Sequence, residues 1–215
     1  KVHAYAMTAL TETNDPFLKV VDRENMERIL AEQRLSLSGV VDEQTAVRVG
    51  NLIGAQAVLM GEVVDYREVP GELRRSTKDG YETYTETVID PKTGAKTYVP
   101  RTKAVRYAEY LQENKVYMTF NYRLVSLETG EVLVSKVVDR QEQDHMYYAD
   151  YQGNRDALVP MKNGLPDLSA RHELRNLLNA PRQVKSVETL SMQAVSSATS
   201  NMAQAVQQEL NSKLP

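Results

Sequence analysis

Apolar residues recur along this chain with two different periods, and the switches between them mark out its elements. Between residues 22 and 63 the helical period comes first. Met26, Ile29 and Leu30 form one stripe that Asp22 is placed to cap, and Ser38-Gly39 then breaks the chain. Asp42 is placed to cap a second helix carrying Ala46, Val49, Leu52 and Ile53. Gly54 follows where a left-handed C-terminal cap is expected, a conformation that only glycine adopts without steric cost. Ala57 to Met60 then reads as a buried strand. Further on the period is two: Val116, Met118, Phe120, Tyr122 and Leu124 alternate with Tyr117, Thr119, Asn121 and Arg123. Glu128-Thr129-Gly130 turns that chain, and Val132, Val134 and Val137 return it. From Val187 to about Leu210 the helical period resumes with Leu190, Ala194, Val195, Ala198, Met202, Ala205 and Val206. The small residues in its middle let that helix lie close against a sheet; a partner-binding helix is the competing reading. At the other end, His3 to Leu10 reads as the last turns of a helix, followed by a strand over Phe17 to Val21.

The pattern predicts an α/β fold, a mixed sheet covered by helices, with strands Phe17–Val21, Ala57–Tyr66, Val116–Leu127 and Val132–Gln141. Two polar stretches, at about 67–114 and 140–185, interrupt it as insertions in a single domain spanning residues 1–215. The first holds its own hairpin signal, Asp90-Pro91-Lys92-Thr93-Gly94, between Tyr81–Ile89 and Ala95–Val105. The second, with Pro160, Gly164, Pro166 and Pro181, is expected to be largely irregular apart from a short helix at Ser169 to Asn179.

Composition narrows the function more than it names it. Hydrophobic residues at 41% support a real core, while 26% charged residues and a net charge of −3 give no basic surface for nucleic acid. The apolar runs are far shorter than the roughly 20 residues of a membrane-spanning helix. With no cysteine, disulfides, thiol nucleophiles and cysteine-ligated metals are excluded within these residues. No nucleophile elbow, phosphate loop or zincin motif is present. Gly50 and Gly54 lack the following lysine of a nucleotide loop and read as a helix end. His3, His145 and His172 lie far apart in sequence, so a metal site built on Asp144 and His145 is disfavoured against a surface histidine. Asp22, Glu24, Asp42 and Glu43 sit at helix N-termini, where the macrodipole favours them without catalysis. The expectation is a protein that is not an enzyme and takes no cofactor or metal.

Tyrosine is the unusual residue. Eleven of the twelve fall between Tyr66 and Tyr151, against two phenylalanines and no tryptophan. Aromatic residues favour strands, which accounts for some of them; tyrosine is also enriched in interfaces. Met146-Tyr147-Tyr148 and Tyr151 stand in polar sequence with no evident period, so Met146, Tyr147, Tyr148 and Tyr151 are the candidate interface residues.

The residues themselves add a resemblance. Asp22-Arg23, Ile29-Leu30-x-Glu32-Gln33-x-Leu35, Ser38-Gly39, Gly50-x-Leu52-Ile53-Gly54-Ala55 and Gly61 resemble the CsgG family of bacterial outer-membrane lipoproteins, best known for the curli secretion channel. Tyr122 to Leu133 resembles that family's hairpin around a Thr-Gly-Glu turn. The resemblance implies a periplasmic, outer-membrane-associated domain that here lacks its first strand, with a lipidated cysteine upstream as its membrane anchor. It implies structural roles for Asp22, Gly39, Gly54, Gly61 and Gly130. It also implies a homo-oligomer, with a ring as the first choice, working with other envelope proteins to scaffold assembly or secretion of a surface structure. Two other readings stay open: a monomeric lipoprotein that regulates a cell-wall synthase, and a secretion pore. Against the pore, the stretch from Arg67 to Asn114 holds 17 charged residues. One phase of its hairpin reads Tyr81, Thr83, Thr85, Thr87, Ile89 and the return strand reads Val99, Arg101, Lys103, Val105. Each Arg or Lys facing the bilayer midplane would cost about 2–4 kcal/mol. Both polar stretches are therefore expected to lie in water or against protein.

Overall fold

Period-two alternation extends much further in the molecule than the runs that first reveal it. The computed structural model describes residues 2–13, 15, 18–22 and 55–213. In chain order the elements are α1 (Val2–Thr11), β1 (Ala57–Val69), β2 (Arg74–Ile89), β3 (Lys96–Ser126), β4 (Val132–Asp150), a 3-10 turn at Arg155–Ala157, β5 (Leu158–Lys162), β6 (Leu165–Pro166), α2 (Arg171–Asn179) and α3 (Val187–Lys213). The strand order is β1-β3-β2-β5-β6, with β4 also paired to β3. The sheet is mostly antiparallel, with a few helices. The two helices expected between Asp22 and Gly54, and with them Gly39 and Gly54, lie outside the described residues.

The chain divides into two units: residues 1–68, 116–142 and 187–215 form the first, and residues 69–115 and 143–186 the second. In the first, Met118, Phe120, Tyr122 and Leu124 are each no more than 3% exposed. They meet Ala194, Val195, Ala198, Met202, Ala203 and Val206 of α3, Leu10 of α1 and Val134 of β4. Alanines on α3 keep its backbone close to the sheet, as the small-residue stripe predicts. Burying each large apolar side chain here contributes about 1.5–3 kcal/mol. The turn from β3 to β4 is held by Ser126, whose backbone accepts from Gly130 N–H at 3.0 Å and donates to Glu131 at 2.9 Å. Gly130 adopts φ +73°, which explains the glycine. Gly61 is required for another reason: a Cβ there would lie 2.8 Å from Cζ of the buried Phe120 ring.

The second unit is built on the β2–β3 hairpin, paired from Arg74↔Leu111 to Ile89↔Lys96. Its turn is the one predicted at Asp90–Gly94. The Asp90 carboxylate accepts from Lys92 N–H at 2.8 Å, which holds its pKa below the ordinary value, and Gly94 supplies φ +70°. A separate small core gathers Tyr107, Ala149, Leu158, Leu174 and Leu178. β5 joins β2 at Gly80↔Pro160 to Glu82↔Leu158. Asn163 and Gly164, at φ +52° and +80°, turn β5 into β6 in the manner of a type I′ hairpin.

Three expectations need correction. Of the strand expected at Phe17–Val21, the described residues Leu18 to Val21 are not strand, because they join no ladder among the described residues. Val20 instead packs on the first core. The stretch from Arg140 onward is not largely irregular: β4 runs on to Asp150, and β5 and β6 follow. Met146-Tyr147-Tyr148 therefore does have a period, that of β4. Apart from these three, the segments at 69–115 and 143–186 cluster as one unit with its own core.

Replacing Gly61 by Ala is expected to destabilise the protein by about 1–3 kcal/mol, because the Phe120 ring it would strike is packed on all sides. Denaturant unfolding of the variant against the native protein measures this; an unchanged midpoint would show that the ring has room to move.

Candidate functional surface

The most prominent surface belongs to the second unit, where the β2–β3 hairpin runs past its core. From Thr83 to Ile89 and from Lys96 to Ala104 every side chain but Val99 is exposed. The register decides what each face carries. Tyr81 pairs with Ala104, Thr83 with Thr102, Thr85 with Pro100, Thr87 with Tyr98, and Ile89 with Lys96. Directly paired residues share a face, so this face carries no charge between Tyr81 and Tyr98. The opposite face collects Glu82, Tyr84 and Glu86 with Lys103, Arg101 and Val99. There Arg101 Nε meets Glu86 Oε2 at 2.8 Å, Lys103 Nζ meets Glu82 Oε1 at 3.1 Å, and Lys103 lies 5.9 Å from the Tyr84 ring. The sequence reading grouped Arg101 and Lys103 with the threonine phase, and the pairing corrects it. The signal was available: fixing the turn at Asp90–Gly94 fixes every pair in the hairpin.

At the base of this arm Glu82 is an anchor that sequence alone did not reveal. It is 7% exposed and accepts from the Tyr151 hydroxyl, from Asn154 N–H at 3.3 Å and from Lys103. The Tyr151 bond, then the Lys103 bond, hold its carboxyl below the usual range. Tyr151 is pushed up to about 12 by burial, then by that same carboxylate. The other candidate interface residues also have partners within the unit. Tyr148 stacks on Tyr110 at 4.8 Å, with the Arg182 guanidinium 4.9 Å over it and tied to Asp150 at 2.9 Å. Tyr147 donates to Glu109 at 2.8 Å and is pushed up to about 12 by burial and that bond, yet keeps 40% of its surface exposed. Met146 is only 8% exposed. Of these four, Tyr147 has the most surface to offer a partner.

Asp144, weighed above as a metal ligand, accepts from Lys185 N–H at 2.8 Å, and His145 is exposed. Among the described residues no three His, Asp or Glu side chains are grouped to hold a metal. Asp22 lies 3.3 Å from His3 Nε2. No described helix is long and apolar enough to cross a membrane, which leaves strands out of account.

The model of the family described as curli production assembly/transport component CsgG matches residues 1–158. That match takes in β1 to β4 and ends at the first residue of β5. No curated protein matches the chain.

Tyr107, Tyr147 and Tyr151 are all raised to about 12, so an absorbance titration of the folded protein should show tyrosines that stay neutral past the ordinary range. A raised acid pKa favours the protonated form in the fold. The associated stability is therefore complete below about 10, the unfolded value, and lost as pH rises towards 12. Tyr151→Phe should flatten that alkaline loss. An unchanged pH profile would show that Tyr151 ionises alike in both states.

Proposed function

This chain belongs to the CsgG family, and we propose that it is a non-enzymatic envelope component. It resides on the periplasmic side of the outer membrane through an upstream lipid anchor, self-associates, and scaffolds the assembly or secretion of a surface structure. The family description, an assembly and transport component, supports the envelope and assembly parts of this reading.

The observation that carries self-association is the arm. Two strands alone are marginal in water, since they bury little and leave backbone groups unpaired. β5 covers β2 only at Gly80–Glu82, so among the described residues the outer edge of β2 is open from Thr83 to Ile89. A second copy supplying a strand and covering the uncharged face would satisfy both needs. Copies joined head to tail in this way close into a ring when the rotation between them divides a full turn.

The segregated faces also favour a second reading, a strand pore. The face is uncharged from Tyr81 to Thr87, seven residues against the about 9–11 of a spanning strand, with Tyr81 and Tyr98 at its ends as interface aromatics would stand. Threonine in place of leucine or valine weakens it, so water or protein remains the preferred surrounding.

Single cysteines placed from Tyr81 to Ala104 should react with water-soluble reagents equally in solution and in membranes, apart from positions shielded by a second copy. Protection of the threonine face in membranes alone would establish the pore instead. The mass of the anchored protein in mild detergent is expected to be that of a discrete oligomer. A monomer would favour the remaining alternative, a regulator of a cell-wall synthase.

A further inference from the structure

We infer that a groove in the first unit, flanked by Arg67 and Arg140 beside Tyr117, binds a carboxylate. The groove has a volume of about 310 Å³ and is lined by Asp65, Arg67, Tyr117, Thr119, Asp139 and Arg140, among others. The Arg67 guanidinium sits over the Tyr117 ring, 4.6 Å from its centroid. That attraction uses the charge and leaves the N–H donors uncommitted among the described residues. Asp139, in the same lining, turns its Oδ1 to the Thr119 hydroxyl at 2.7 Å. Arg140 donates from Nη1 to the Asp139 carbonyl at 2.9 Å, and its Nε is buried with no acceptor among the described residues. Elsewhere the arginines are served differently: Arg101 and Arg182 each hold a carboxylate within 2.9 Å. A dry donor with nothing to bond is costly, and an arriving oxygen acceptor removes that cost.

The ligand class follows from charge and shape. Asp65 and Asp139 balance Arg67 and Arg140, so the lining carries no net charge. A doubly charged phosphate would meet two carboxylates, whereas a singly charged planar carboxylate meets less repulsion and matches the guanidinium fork. The volume lies at the low end of ligand pockets, about 300–1,000 Å³, which limits the acid to a small stem. A free small acid and the C-terminal residue of a peptide share that chemistry. The inference stands independently of the self-association proposed above.

The test follows the side-chain Nε–H signals of Arg67 and Arg140 in the whole chain by nuclear magnetic resonance. The probes are sodium benzoate, benzamide, inorganic phosphate, and a Gly-Gly-Ala tripeptide with a free or an amidated end. Benzoate or the acid tripeptide should shift both signals saturably, and whichever binds more tightly identifies the source; the two amides should not. Arg67→Lys and Arg140→Lys keep the charge and lose the fork, and each should weaken binding roughly tenfold. Should Arg140→Lys impair folding, the exposed Arg67 carries the test. No saturable shift from either acid, phosphate binding more tightly than both, or Arg67→Lys leaving affinity unchanged would overturn the inference.

Discussion

A strand side chain faces one way or the other, and β3 holds that constraint for 31 residues while pairing with β1, β2 and β4. In the first unit its even positions, from Val116 to Leu124, are the buried ones. In the second unit the small core takes Tyr107 and, partly, Val105, both odd. A slip of one residue in any pairing would exchange these sets and put Arg123 and Thr119 into a core made for Phe120 and Tyr122. The turn glycines and the two cores all conform to this one register. Gly130 ends β3 where the alternation runs out, and Gly61 makes room for the Phe120 ring that the alternation points at it.

Much of this was legible in the residues. Val116 to Leu124 announces its buried face because every second residue is large and apolar, and the small-residue stripe from Leu190 to Val206 announces the helix above it. The Asp90–Gly94 turn was equally plain. What escaped reading was strand whose alternation is written in polar residues. Arg140 to Asp150 is strand just as Val132 to Val138 is, but Gln141, Gln143 and His145 on one phase carry no hydrophobic signal. Glu82 escaped for a related reason: its partners Tyr151 and Asn154 lie about seventy positions away, and no local pattern links them. Leu18 to Val21 erred the other way, since its apolar content suggested a strand and pairing did not supply one.

The functional account rests on the same register. Charge along Arg67–Asn114 looks dispersed in sequence, yet the pairs Glu82–Lys103 and Glu86–Arg101 gather it on one face of the arm. Cross-strand ion pairs at this exposure contribute little stability, about 0–1 kcal/mol each. Their consequence is the contrast they leave: one face that water suits, and one of Thr83, Thr85, Thr87, Tyr98 and Pro100 with nothing ionised on it. The proposed self-association would use such an arm in contacts between copies. Of the tyrosines first suspected of that role, Tyr151 bonds Glu82 at its base, Tyr148 stacks on Tyr110 elsewhere in the unit, and Tyr147 stays 40% exposed.

The central claim, that the arm makes the contact between copies, is tested most directly by shortening it. Replacing residues 84–101 with an Asn-Gly turn leaves the Glu82–Lys103 pair and the second core in place. Sedimentation of the full-length protein in mild detergent then reports the assembly. The account predicts a folded monomer where the native chain gives a discrete oligomer. A shortened protein that keeps the native oligomer mass would contradict it.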